Sequence, residues 1–115
     1  MDIKIKDFIG ERCITMDAGK RLYDLIHPCL TKGEAVRLDF GGVRIYASPF
    51  FNFAIGQLLK DLKSDDLNRL LKIQGMSGNG DMVLRRVIEN SKEYYANPDA
   101  RKAVDDVLMR KAVEA

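Results

Sequence analysis

The spacing of apolar residues in the first third of the chain predicts a strand followed by a helix. Ile3 and Ile5 alternate with lysines, which is the period of a half-exposed strand. Asp17 can cap the helix that follows. Its apolar residues recur at helical spacing and are Ala18, Leu22, Leu25, Ile26 and Cys29. Pro28 falls inside this pattern, so the helix is predicted to end or kink near His27.

The segment from Ala35 to Leu62 predicts two short strands and a second helix. Residues 35–40 are apolar at alternate positions, Gly41-Gly42 makes a turn, and residues 43–46 continue as a strand. Ser48-Pro49 then opens a helix that is predicted to reach Leu62. The core side of this helix is formed by Phe51, Ala54, Ile55, Leu58, Leu59 and Leu62.

The remainder of the chain predicts more helices and one further strand. Ser64 begins another helical turn, and the strand 70–73 follows it. The glycine-rich loop 75–80 leads to a helix over about 81–95, and Pro98 suits the first position of a last helix to about Lys111. One side of the last helix carries Ala100, Val104, Val107 and Leu108.

This order of elements predicts a small α/β sandwich. We expect a mixed sheet of about four strands that is covered by helices, with two helices at the C-terminal end. At 115 residues the chain is long enough for one hydrophobic core, so residues 1–115 are interpreted as a single domain.

Composition and charge argue against several classes of protein. The net charge is +2 and the signs alternate along the chain, so no basic stripe for nucleic acid is present. No apolar run is long enough for a membrane span, and the start does not have the pattern of a signal peptide. We therefore expect a cytoplasmic protein in which Cys13 and Cys29 are reduced thiols without a metal or redox role.

The run VRLDFGGVRIYASPFFNFAIGQLL resembles the core of STAS domains, the fold of bacterial anti-sigma-factor antagonists. It is more closely similar to the STAS-like domains of unknown function of bacteria and phages. The resembling motifs are Leu38-Asp39-Phe40, Ser48-Pro49, Ala54-Ile55-Gly56, Ile88-Glu89-Asn90, Tyr94-Tyr95 and Asn97-Pro98. They span roughly Ile9 to Leu108 in the expected order.

The resemblance implies a non-enzymatic module that switches between protein partners. In the better-known relatives, a kinase of the histidine-kinase-like ATPase fold phosphorylates a serine at the matching helix start, which is Ser48 here. A phosphate there would meet the free N–H groups of the first helical turn. The chain departs from the family pattern at Ala47, where aspartate is usual, and at Pro49-Phe50, where serine and glycine are usual. The alternative is that Ser48 serves only as a helix cap.

Aromatic residues beside Ser48 suggest a docking surface for a protein partner. Phe50 and Phe53 fall on a different side of the helix from the core stripe, with Tyr46 and Asn52 nearby. If both phenylalanines are exposed, they form an apolar patch that a partner would cover. The alternative is that the helix is buried on a wide arc and both rings belong to the core.

Other residues give weaker indications of chemistry. The loop 75–80 has glycines suited to holding a phosphate, but it contains no lysine and precedes Asp81. His27 lacks a nucleophile partner in the sequence, and Asp39 is interpreted as a cap of the Gly41-Gly42 turn.

We therefore expect no catalysis, no metal and no cofactor. A constitutive interaction or oligomerisation domain and a small-ligand or nucleotide-binding protein remain as alternatives, and the sequence leaves the oligomeric state open.

Overall fold

The computed structural model describes residues 1–96, in which short strands alternate with helices. The strands are β1 (Asp2–Lys4), β2 (Arg12–Cys13), β3 (Val36–Asp39), β4 (Ile45–Tyr46) and β5 (Leu71–Gln74). The helices are α1 (Ile5–Phe8), α2 (Met16–Thr31), α3 (Ser48–Ala54), α4 (Ser64–Leu70) and α5 (Gly78–Ala96), with a 3-10 helix, Gly56–Lys60, after α3. The predicted last helix, from Pro98 to about Lys111, lies outside the described residues.

The strands form two small parallel sheets, which corrects the prediction of one mixed sheet of about four strands. β3 lies between β1 and β5, and Leu38 is in register with Ile3 on one side and Ile73 on the other. Because both edges of β3 are occupied, β4 does not fold back on it as a hairpin. It pairs instead with β2, with Cys13 opposite Tyr46.

The three-stranded sheet is buried on one face only. Its inward residues are Ile3, Val36, Leu38 and Leu71, and they share a core with residues of α2, α3 and α5. The alternate positions Lys4, Arg37 and Lys72 are exposed. Helices therefore cover one face, as the apolar strands require, and the other face is polar.

Helix α2 begins and ends at well-defined caps. Thr15, not the predicted Asp17, is the N-cap, and its hydroxyl accepts a hydrogen bond from the N–H of Ala18 at 3.1 Å. At the other end the N–H groups of Gly33 and Glu34 donate to the carbonyls of Leu30 and Cys29, which is the Schellman pattern. The helix therefore ends at the C-cap Lys32, just before Gly33.

Pro28 does not end α2, contrary to the prediction, and the helix continues to Thr31. The side chain of Pro28 is on the exposed side, while Leu22, Ile26 and Leu30 are buried. Burial of this apolar stripe holds the last turn in place although proline has no N–H to donate to the carbonyl of Asp24.

We expect Pro28→Ala to raise the free energy of unfolding by about 2 kcal/mol. The helix penalty of proline is ~3 kcal/mol, and about 1 kcal/mol of it is offset because proline restricts the unfolded chain. Urea denaturation measures the change. Glu34→Ala, an exposed position just beyond the helix, is the control and should stay within about 0.5 kcal/mol of the parent. An unchanged midpoint for Pro28→Ala would contradict this account of the helix.

The second predicted helix is shorter than expected because the chain changes direction at Ile55. This residue has φ −124° and ψ −45°, and α3 gives way to the 3-10 helix. A Cβ on Gly56 would lie 2.6 Å from the hydroxyl oxygen of Ser91 and 3.3 Å from Val87. Glycine at this position therefore permits the close approach of α5.

Candidate functional site

The carboxyl ends of β3 and β5 meet, and Asp39 organises their junction. Its carboxylate accepts a hydrogen bond from the N–H of Gly41 at 2.8 Å, which confirms its predicted role as a turn cap. The N–H of Phe40 donates to the carbonyl of Gln74 at 2.8 Å. A Cβ on Gly75 would lie 2.7 Å from the same carboxylate, so the loop after β5 packs directly on the loop after β3.

Tyr46 joins this junction to the start of α3. Its ring is stacked on Phe51, with centroids 5.8 Å apart and planes inclined by 9°, and it lies 6.0 Å from Phe40. The ring also lies close to Gly80 at the start of α5, where an added Cβ would be 2.9 Å from two of its atoms. Its hydroxyl donates to the carbonyl of Val43 at 3.4 Å, and burial raises the pKa of the phenol. Tyr46 is thus half-buried, and its ring packs beneath the start of α3 instead of forming an exposed part of a docking surface.

Ser48 is exposed at the first helical position of α3. Ala47 is the N-cap, and within residues 1–96 the Ser48 hydroxyl makes no hydrogen bond. The structure therefore does not show the predicted capping role. Pro49 occupies the following position, one residue later than expected. Since α3 has only seven residues, its dipole offers little stabilisation to a phosphate on Ser48.

The phenylalanines predicted to lie beside Ser48 differ in their exposure. Phe50 has no exposed surface and packs edge-on against Phe51, with centroids 5.4 Å apart, so the core alternative is correct for Phe50. The side chains of Asn52 and Phe53 are half-buried. Ile45, which the sequence analysis did not single out, is 44% exposed just before α3. We call Ile45, Ser48, Asn52 and Phe53 the Ser48 surface.

Phe53 also lines a groove between α3 and α2. The groove has a volume of about 330 Å³, and its other lining residues are Met16, Lys20, Tyr23, Asp24 and Gln57. Its lining combines the rings of Phe53 and Tyr23 with one lysine and one aspartate. The groove therefore adjoins the Ser48 surface at Phe53, on the α2 side of α3.

The loop 75–80 serves as the cap of α5. The Ser77 hydroxyl accepts a hydrogen bond from the N–H of Gly80 at 3.3 Å, and the Ser77 carbonyl accepts one from the N–H of Asp81 at 2.9 Å. Asp81 forms an ion pair with Arg85 at 2.8 Å. The amides of Gly80 and Asp81 are therefore occupied, and the Asp81 carboxylate is close to them, which disfavours a bound phosphate.

His27 and Asp61 join α2 to the end of the 3-10 helix. Nε2 of His27 lies 2.7 Å from the Asp61 carboxylate, and the imidazole is stacked on Tyr23 at 4.8 Å. Burial raises the pKa of Tyr23, and the carboxylates of Asp61 and Asp24 add to this effect. The pair holds two elements together, and within residues 1–96 it forms no hydrogen bond to a serine or cysteine.

The described residues contain neither a metal-binding cluster nor a membrane-spanning helix. Residues 1–96 contain no group of three or more histidine, cysteine, aspartate or glutamate side chains placed to hold a metal ion. No helix in the same part of the chain has the length and hydropathy to cross a membrane.

Cys13 is buried opposite Tyr46, and burial raises the pKa of its thiol to about 11. At about pH 8 only about one in a thousand of these thiols is ionised, so we expect a thiol reagent to modify Cys29 and spare Cys13 until the protein unfolds. The pKa of Cys13 is higher in the folded than in the unfolded protein, so burial of the neutral thiol stabilises the fold fully at pH values below the unfolded pKa. This stabilisation is lost as the pH rises towards about 11. Mass analysis of the labelled protein, with Cys29→Ser as the control, tests the prediction. Labelling of both thiols in the native state would contradict it.

The fold and the site define a small parallel α/β domain whose exposed feature is a serine-containing helix start beside the strand ends. The model of a family described as a STAS-like domain of unknown function (DUF4325) matches residues 18–81, and the chain belongs to this family. The match runs from α2 to the start of α5 and includes the whole Ser48 surface. The resemblance drawn from the sequence is thereby confirmed for this part of the chain. No curated protein and no solved structure gives a significant match.

Proposed function

We propose that this protein is a non-enzymatic regulatory module that docks a protein partner through the Ser48 surface. The observation that carries the proposal is the exposed Ser48, whose hydroxyl makes no hydrogen bond in residues 1–96, three residues along the chain from the exposed apolar residue Ile45 in a STAS-like fold. Exposed apolar residues beside polar ones are typical of docking surfaces.

Phosphorylation of Ser48 is the proposed switch. The hydroxyl points to no partner in residues 1–96, so adding a phosphate breaks no hydrogen bond of the fold. The dianion would still disfavour a complex that buries Ile45 and Phe53, because charge is costly to desolvate at an apolar interface. The modification would thus be tolerated by the folded protein and disruptive to the complex, which is what a switch requires.

The proposed partner is a kinase-like ATPase or another regulator, because STAS-like domains resemble the anti-sigma-factor antagonists that bind such partners. The rigid support under the surface favours this class of function, because Tyr46 and Phe51 fix the start of α3 from below. A surface held in place in this way loses little conformational entropy on binding.

We expect incubation of the full chain with ATP and lysate of its host to add one phosphate to Ser48. Intact mass and peptide mapping measure the addition, and Ser48→Ala should abolish it. In pull-down experiments, Ser48→Asp and Ile45→Glu should each remove a partner that the parent chain retains. Leu25→Glu is the matched control, since Leu25 is an exposed apolar residue on α2, 36% exposed against 44% for Ile45.

Three results would count against the proposal in different ways. Unmodified Ser48 together with partner binding unchanged by Ser48→Asp rejects the switch. Loss of binding in Ile45→Glu and Phe53→Glu without any phosphate favours a constitutive interaction domain instead. Equal loss in Leu25→Glu rejects the Ser48 surface as the docking site.

A further inference from the structure

One face of the three-stranded sheet is open to solvent within the described part of the chain. Strands β1, β3 and β5 are parallel, and parallel sheets are normally covered on both faces. Helices cover the face that carries Leu38, whereas the side chains of the opposite face are exposed, apart from the partly buried Asp39. We call this opposite face the polar face, and its residues are Asp2, Lys4, Arg37, Asp39, Lys72 and Gln74.

The register of the strands divides the polar face into two rows that run across the sheet. The first row consists of Asp2, Arg37 and Lys72, and the second of Lys4, Asp39 and Gln74. From β1 to β5, the first row is acidic, basic and basic, and the second row is basic, acidic and neutral. On β1 and on β3 the sign of the charge therefore reverses from one row to the other.

Most of these charges are unused within residues 1–96. The side chains of Asp2, Lys4 and Arg37 form neither a hydrogen bond nor an ion pair there. Asp39 uses Oδ1 to accept the N–H of Gly41, which leaves Oδ2 for another donor. The polar face thus presents charges of both signs that are able to pair with groups of another molecule.

We propose that the polar face binds the polar face of a second copy of this chain. A two-fold axis across the strands, at the level of Leu38, brings the first row of one copy over the second row of the other. Asp2 then faces Lys4 of the second copy, and Arg37 faces Asp39 of the second copy. An axis along the strands would instead place Arg37 over Arg37 and Asp39 over Asp39, so like charges disfavour that arrangement.

The space above the polar face suits this contact. Most residues of the polar face line a groove of about 630 Å³ together with Asp7 and Phe8 of α1. Packed sheets lie about 10 Å apart, a distance that lysine and arginine side chains from the two copies bridge. Because the contact area is small and its ion pairs are close to water, the dimer is of the weak, transient class. No residue of the Ser48 surface belongs to the polar face, so this inference does not depend on the proposed function.

Sedimentation equilibrium of the full chain at high protein concentration measures the association. We expect a monomer–dimer equilibrium that weakens at least about tenfold between about 0.01 M and about 1 M salt, over which the Debye length falls from ~30 Å to ~3 Å. A chain that stays monomeric at low salt would overturn the proposal. A dimer that is equally strong at both salt concentrations would also overturn it, because such a dimer is not held by charges.

Two charge-reversed variants identify the surface and the symmetry. Asp2→Lys alone and Lys4→Glu alone should each weaken self-association at least about tenfold, since each creates two like-charge pairs across the two-fold axis. An equal mixture of the two variants should regain the association of the parent, because Lys at position 2 then faces Glu at position 4 and Lys4 faces Asp2. Lys32→Glu is the control, an equal change of charge at an exposed residue after α2, and it should associate like the parent. Single variants that dimerise as well as the control, or a mixture that associates no better than its components, would overturn the proposal.

Discussion

Replacing Phe51 by alanine is expected to lower the free energy of unfolding by about 3–5 kcal/mol, which is the range for truncating a buried phenylalanine. Phe51 has no exposed surface, and its ring contacts those of Phe40, Tyr46 and Phe50. The substitution removes the ring on which Tyr46 is stacked, so the site loses its support together with the core. Since domains of this size are stable by only about 5–15 kcal/mol, much of the stability would be lost.

Phe53→Ala is the matched control for this prediction. It removes the same ring two positions further along α3, where the side chain is only half-buried. We expect a loss below about 2 kcal/mol for the control, measured by urea denaturation beside Phe51→Ala. If the two variants were equally destabilised, Phe51 would not occupy the centre of the core as described.

The aromatic positions of α3 illustrate what periodicity can predict. Phe51 was correctly assigned to the core, because it shares a stripe with Ala54, Ile55 and Leu58. Phe50 was predicted to lie on a different side of the helix from this stripe, with exposure and burial in the core both left open, and it is fully buried. Adjacent positions of a helix are both buried only when the helix has neighbours on two sides, and here α2 covers the side that faces Phe50. Sequence spacing gives the period of a helix but not the number of its neighbours.

Strand pairing was beyond prediction for a different reason. β3 and β5 were found because their apolar residues alternate over four positions each. β2 has only two residues, too few for any period, and it is a strand only because β4 lies beside it. The place of β4 depended on whether β1 and β5 already occupied the edges of β3, which is a long-range contact that local patterns do not encode.

The site was predicted better from local chemistry than from exposure. The turn cap of Asp39 follows from a short side chain two residues before the N–H that it binds, which is a purely local arrangement. Whether Tyr46 presents its ring to solvent depends on α5, whose Gly80 lies about thirty residues away along the chain. One signal was overlooked, namely Gly19 near the start of a strongly periodic helix, where glycine carries a cost.

Gly19→Ala is expected to lower the free energy of unfolding by about 2–3 kcal/mol, although alanine is the better helix former by ~1 kcal/mol. A Cβ at this position would overlap the backbone carbonyl oxygen of Phe50 and lie 3.2 Å from the backbone N of Ala54. Both neighbours are main-chain atoms of α3, so no side-chain rotation relieves the overlap and the two helices must separate. Gly78→Ala is the control, because nothing lies within 4 Å of its added Cβ, and it should stay within about 0.5 kcal/mol of the parent. Urea denaturation of both variants measures the two changes in the free energy of unfolding. A Gly19→Ala protein as stable as the parent would show that α2 and α3 are not in backbone contact. The argument that the Ser48 surface is rigidly placed would then lose its main support.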